Sequence, residues 1–304
     1  MHPRDTPDVE QALATQINYR SSVAALTFLL YDICLTFDDE VNFVWPKAWT
    51  RMKFLFLFIR YVPLFVQFSI LVIGSPELTP HFHFTPHDCF IWEVYQGVAT
   101  VLILAAVDCV LILRVCALYH NKPIIRRLVL LAFLLEVTGM IVGLGLSVST
   151  ITFDDICLIT HVSTLLLIYA GSTLIFQTFL FALTAIHFGR ALREGWGDTP
   201  LVHLVMRDGT WAFLLLFAVL VGASSLYTVK NQSYAGIIYG WLLTVFSFSG
   251  YRVLLNLDRL SSTSPRLDTT NNTPWEFTTR LTAVEEAAQT YELTTVEDAS
   301  STGP

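Results

Sequence analysis

The chain has 304 residues, of which 54% are hydrophobic and only 14% charged, and its mean hydropathy is +0.57. Soluble domains carry roughly 25% charged residues, so this composition excludes an ordinary water-solvated fold and fits a chain solvated by lipid. The net charge of -7 defines no single surface, because several acids sit in the C-terminal tail, and five cysteines without a C-x-x-C pair exclude a disulfide scaffold or a zinc ribbon.

Residues 1–20 are polar and mixed in charge, without the basic-then-apolar order of a cleavable signal peptide. They are expected to form an extracellular N-terminal segment, which leaves the first apolar stretch as an uncleaved anchor. A helix needs about 20 mainly apolar residues to cross a hydrocarbon core roughly 30 Å thick, and lipid forces each segment to satisfy its own backbone hydrogen bonds. Seven segments qualify, at 21–37, 54–74, 91–113, 128–148, 162–186, 209–229 and 234–255. The fold predicted is all-α, a seven-helix transmembrane bundle over residues 21–260, with the N-terminus outside and the C-terminus inside. The first segment is the shortest and carries Asp32; the last two form an antiparallel hairpin. Residues 261–304 are rich in Ser, Thr and acids, a composition that cannot offset the entropy of folding. They read as a disordered cytosolic tail, with a short helix over 276–293 compatible with the sequence.

Loop charge sets the orientation, since Lys and Arg concentrate on the cytosolic side. One side collects thirteen: Lys47, Arg51, Lys53, Arg114, Lys122, Arg126, Arg127, Arg190, Arg193, Arg207, Arg252, Arg259 and Arg266. The other has three, Arg4, Arg20 and Lys230. The count depends on seven spans, because only an odd number places these loops on alternate sides in this way. Glycosylation sequons stand at Asn231, in the outer hairpin close to the membrane, and at Asn271, in the tail. One on each side decides nothing.

Cys89, just before the third segment, and Cys157, between the fourth and fifth, fall on the oxidising side, where disulfides persist. A bridge would tie the third helix to the next outer loop and stabilise by a few kcal/mol; the alternative is two free thiols. Cys34, Cys109 and Cys116 read as small apolar packing residues. Ionisable groups within spans are functional candidates by default. At 1.5 Å per residue, Asp32, Arg60, Asp108 and Glu136 come from four helices to one layer about 10 Å above the cytosolic ends. Burying Arg60 calls for an acidic partner, and Asp32 is the expected one. The layer reads either as a structural polar clamp or as a switch or ion relay. Pro63 should kink the second helix near Arg60.

Arg114 and Tyr119 end the third segment at the cytosolic boundary and are candidates for coupling to a cytosolic partner, although most arginines at such ends snorkel. The Asp-Arg-Tyr and Asn-Pro-x-x-Tyr motifs of the largest receptor class are absent. His81, His83 and His87 with Asp88 have a spacing that suits Zn²⁺, with His161 able to approach, yet no resident metal or other cofactor is expected. Trp45, Trp49, Trp92, Trp211 and Tyr227 serve as interfacial anchors. There is no His-Glu-x-x-His, no Gly-x-Ser-x-Gly and no nucleotide-binding glycine loop, so the chain is not expected to be an enzyme.

Tyr31-Asp32, Leu35-Thr36, the acidic cluster ending in Glu40-Val41, Trp45 and Arg60-Tyr61 together resemble the N-terminal signature of a group of fungal, mainly basidiomycete, membrane proteins named only for a domain of unknown function. Arg114, Ala117, Leu118 and Tyr119 resemble that group's Arg-x-x-Ala-Leu-Tyr. The resemblance is specific over residues 19–65 and looser elsewhere. It implies that Asp32 and Arg60 belong to a recurring pattern and that the protein is a fungal plasma-membrane or endomembrane protein, and it supplies no ligand. The leading expectation is a receptor-like sensor of an extracellular ligand, its partners being the lipid bilayer and a cytosolic signalling protein such as a G protein, without nucleic acid. The alternative is a transporter, channel or scaffold.

Overall fold

The computed structural model describes residues 5–46, 48–73, 85–119, 122–148, 152–153, 159–161, 166–193, 214–225 and 236–263. In chain order these form α1 (Asp5–Leu35), α2 (Phe37–Phe43), α3 (Arg51–Ile73), α4 (Pro86–Leu118), α5 (Pro123–Val148), β1 (Thr152–Phe153), β2 (Ile159–His161), α6 (Leu166–Arg193), α7 (Leu214–Ser225) and α8 (Tyr239–Thr263). The two strands pair antiparallel as a small hairpin between α5 and α6; everything else described is helical or a short turn or connection.

Among the described residues five helices are long and apolar enough to cross a membrane, and counting the bent pair α1/α2 as one span makes six. The chain is therefore a multi-pass membrane protein. Of the segment expected at 209–229, the described part is the shorter helix α7. The first helix also differs from expectation. It begins at Asp5 rather than near residue 21, so polar residues assigned to a separate N-terminal segment continue the helix. They are usable there because Asn18 lies against Gly236, and Ser21 Oγ donates to Ile237 O at 2.8 Å, at the start of the last helix. The tail from residue 264, Trp211, Tyr227 and both sequons lie outside the described residues.

Local chemistry sets the breaks. Thr36 interrupts the first helix: its backbone leaves helical geometry at ψ 7°, its hydroxyl donates to Asp32 O at 2.8 Å, and α2 leaves at 46° to α1. Asp38, Asp39 and Glu40 occupy the first turn of α2, where the helix dipole favours negative charge. Thr85 caps α4 in a reciprocal box with Asp88, followed by Pro86, which lacks an N–H the first turn would leave unpaired anyway. α3 runs continuously through Pro63.

The bundle is organised around α4 and α8. α4 packs on α3, α5, α6 and α8, while α8 packs on α1, α2, α3 and α4. Accordingly 67% of the α4 span and 61% of the α8 span are buried, against 22% for α5 and 28% for α6. The outer faces of α3, α5 and α6 carry exposed Phe65, Leu134, Leu135 and Ile175, apolar surface that suits contact with lipid chains. Between α5 and α6 the backbones approach closely through the Gly139-x-x-x-Gly143 step. A Cβ on Gly143 would stand 2.7 Å from Tyr169 N, and one on Gly139 2.8 Å from Ser172 Cβ. Small residues give membrane helices this close contact, because lipid tails are as apolar as the helices and provide no hydrophobic drive for association.

Gly143→Ala is expected to lower the thermal midpoint in detergent, with overpacking costing about 1–3 kcal/mol, because backbone atoms of Tyr169 cannot move aside. Gly145→Ala, where a Cβ meets nothing within 4 Å, should leave the midpoint unchanged or raise it. Equal midpoints for the two variants would remove this account of the α5/α6 contact.

Candidate functional site

The most completely buried cation is Arg60, on α3, with no exposed surface. Its three nitrogens each meet an oxygen of the bent pair. Nη2 donates to Ile33 O at 2.9 Å, a last-turn carbonyl of α1, where helix ends leave acceptors unfilled and the dipole attracts positive charge. Nη1 donates to Thr36 Oγ1 at 2.9 Å, and Nε lies 2.9 Å from Glu40 Oε2. The guanidinium carbon sits 4.7 Å from the centre of the Tyr251 ring on α8, within the range of a cation–π contact.

Glu40, equally buried, also accepts from Tyr61 OH at 2.9 Å and from Trp45 Nε1 at 3.2 Å. The break at Thr36 is what makes this possible: it turns α2 so that Glu40 reaches α3. The arrangement corrects the expected pairing of Arg60 with Asp32. Thr36, Ile33 and Glu40 occupy the guanidinium, and the Asp32 carboxylate pairs instead with Arg252 Nη2 on α8 at 2.5 Å. Asp32 is buried while the Arg252 side chain is 43% exposed, its guanidinium lying over Phe248 at 4.3 Å.

Asp108 and Glu136 are also buried but belong to a second cluster. Gln177 Nε2 on α6 donates to Asp108 Oδ1, and the carboxyls of Asp108 and Glu136, from α4 and α5, lie close enough to act on each other. The four groups expected in one layer thus form two centres, one around α1, α2, α3 and α8, the other among α4, α5 and α6. Between the two ends of the bundle α8 makes further polar contacts: Gln67 Nε2 donates to Thr244 Oγ1 at 3.0 Å, Thr244 Oγ1 donates to Ala25 O at 3.2 Å, and Tyr239 OH donates to Gln96 O at 3.0 Å.

Arg114 and Tyr119 are both buried. Tyr119 OH donates to Leu183 O at 2.8 Å and its ring packs edge-on to His187; burial pushes its phenol above the usual range. Tyr119 is thus held inside the bundle by a hydrogen bond and a ring contact. Cys89 is 2% exposed and is not among the free thiols, which are Cys34, Cys109 and Cys116; Cys157 lies outside the described residues. His87 is exposed on the first turn of α4, and His81 and His83 lie outside the described residues. Among the described residues no three His, Cys, Asp or Glu side chains are placed to hold a metal.

Sequence reasoning passed over Glu40, Arg252, Tyr251 and Gln177. Glu40 lay in the quoted signature but beyond the end of the expected span, and Gln177 carries no charge for a hydropathy count to register.

Residues 21–65 match a family of unknown function, DUF6533. No curated protein and no solved structure matches the chain. The matched segment contains Ile33, Thr36, Glu40, Trp45, Arg60 and Tyr61, all of the Arg60 centre except its α8 face.

Arg60→Ala should cost about 3–5 kcal/mol by leaving Glu40 charged and unpaired, read as loss of monodisperse protein in detergent. Adding Glu40→Gln should recover part of that yield, and adding Asp32→Asn should not. Rescue by Asp32→Asn alone would restore the Asp32 pairing.

Proposed function

We propose that the protein is a receptor-like membrane sensor, in which ligand at the outer face shifts the helices and the change is passed to a cytosolic signalling partner. The observation that carries this reading is the latch between α1 and α8. Asp32 and Arg252 hold the two helices together by an ion pair with one buried and one half-exposed member, beside the rigid Arg60–Glu40 centre. Because the Arg252 side chain is 43% exposed, it can leave the pair without passing through the packed core, and the pair can serve as a two-state element. In this reading the basic loops and the Ser/Thr-rich tail face the cytosol, the tail offering sites for phosphorylation. Cys89 and Cys157 bridge the outer side, supported by burial of Cys89 and by the free state of the other three cysteines. The membrane is the plasma membrane or an endomembrane.

Reconstituted with a heterotrimeric G protein, Asp32→Asn and Arg252→Gln should accelerate nucleotide exchange several-fold without ligand. If neither the parent nor these variants alters exchange while the vesicles acquire ion or solute flux, the transporter reading replaces this one. Alkylation without reductant, followed by peptide mapping, should recover the Cys89 and Cys157 peptides as a linked pair; recovering both as alkylated monomers would remove the bridge.

A further inference from the structure

The two buried charged centres differ in balance. Arg60 is matched by Glu40 and Asp32 by Arg252, so the centre at the bent pair is neutral. The α4–α5–α6 centre holds two carboxyls, and neither has a Lys, Arg or His acting on it among the described residues. The neighbouring titratable group is the half-buried thiol of Cys109 on α4, and α6 contributes the neutral amide of Gln177.

The oxygen inventory is equally one-sided. Gln177 Nε2 fills Asp108 Oδ1. Asp108 Oδ2, Glu136 Oε1, Glu136 Oε2 and Gln177 Oε1 are all buried, and among the described residues no donor serves them. Gln177 itself is 2% exposed, and its Nε2 faces Asp108. Two carboxylates cannot hydrogen-bond to each other without a proton, and two like charges in a desolvated site repel strongly. Four acceptor-only oxygens on three helices, two of them from one carboxyl, form a hard-donor set that a proton or a small hard cation would satisfy.

We propose that Asp108, Glu136 and Gln177 form a binding site for a small monovalent cation, a proton or Na⁺, held between α4, α5 and α6. Occupancy adds α5, through Glu136, to the polar contact that Asp108 and Gln177 already make between α4 and α6, so the site couples the packing of this half of the bundle to cation supply. The proposal does not depend on signalling, since a sensor and a transporter can both carry such a site.

Full-length protein in nanodiscs provides the test, through two measurements. The thermal midpoint is compared in NaCl and in choline chloride at equal ionic strength and pH. The infrared spectrum is searched for the C=O stretch of a buried protonated carboxyl. If Na⁺ is the occupant, NaCl raises the midpoint of the parent and the rise is lost in Asp108→Asn and Glu136→Gln. If a proton is the occupant, the midpoint ignores Na⁺ and the protonated-carboxyl band is present, lost in the same two variants. In both cases Asp38→Asn, which alters an exposed acid, behaves as the parent. Should a single variant not accumulate, Asp108→Leu combined with Glu136→Leu removes both charges and takes its place. A parent with neither signal, or a signal that survives these substitutions, overturns the proposal.

Discussion

Placing a guanidinium out of water is the constraint on which much of this architecture rests. Taking Arg60 from water costs several kcal/mol even after relaxation, and the structure meets that cost with an oxygen for each nitrogen and an aromatic ring beside the plane. Each partner in turn imposes a feature of the fold. The Ile33 carbonyl is open because α1 ends there. Thr36 supplies the break, and Glu40 requires α2 to turn back toward α3. Tyr251 requires α8 to pack alongside. Remove the cation, and the bend, the short helix and the α3/α8 contact lose a common reason.

α8 connects this constraint to the rest of the molecule. Its Tyr251 faces Arg60, and the neighbouring Arg252 takes Asp32. At Gly250 a Cβ would stand 2.8 Å from Ile59 and 3.2 Å from Val107, so α3, α4 and α8 meet at one small residue adjacent to both charged contacts. The Asp32–Arg252 contact between α1 and α8 has a half-exposed cation, whereas the Arg60 side is fully buried.

The second centre has the opposite character. Polar atoms on α4, α5 and α6 are brought together without compensating charge, in the half of the bundle whose outer helices are the most lipid-exposed. Gly139 and Gly143 draw α5 onto α6 close by in sequence to Glu136, so the close backbone approach and the carboxyl lie on the same helix within two turns. The two centres together mean that α4 and α8, the most buried helices, each carry one side of a polar problem solved in a different way.

Much of this was legible in the residues themselves. Apolar runs of about 20 residues announce membrane helices because the bilayer thickness is fixed, and that reasoning located α3, α4, α5, α6 and α8, with ends that differ by up to eight residues. Ionisable groups inside such runs announce sites because they are costly there, and Asp32, Arg60, Asp108 and Glu136 are all buried. What hydropathy does not carry is where a helix breaks and which way the next one leaves. A single residue, Thr36, redirects the chain, and Glu40 rather than Asp32 reaches Arg60. The polar run 5–20 continues α1, whose Asn18 lies against Gly236 and whose Ser21 donates to Ile237 O, a packing that no local pattern announces. The sequence by itself determined the class of protein and the identity of its costly buried groups, since both follow from the transfer of side chains out of water. Tertiary structure alone decided their partners, because pairing depends on the rotation and bend of each helix, and the 46° bend at Thr36 is what brings Glu40 rather than Asp32 to Arg60.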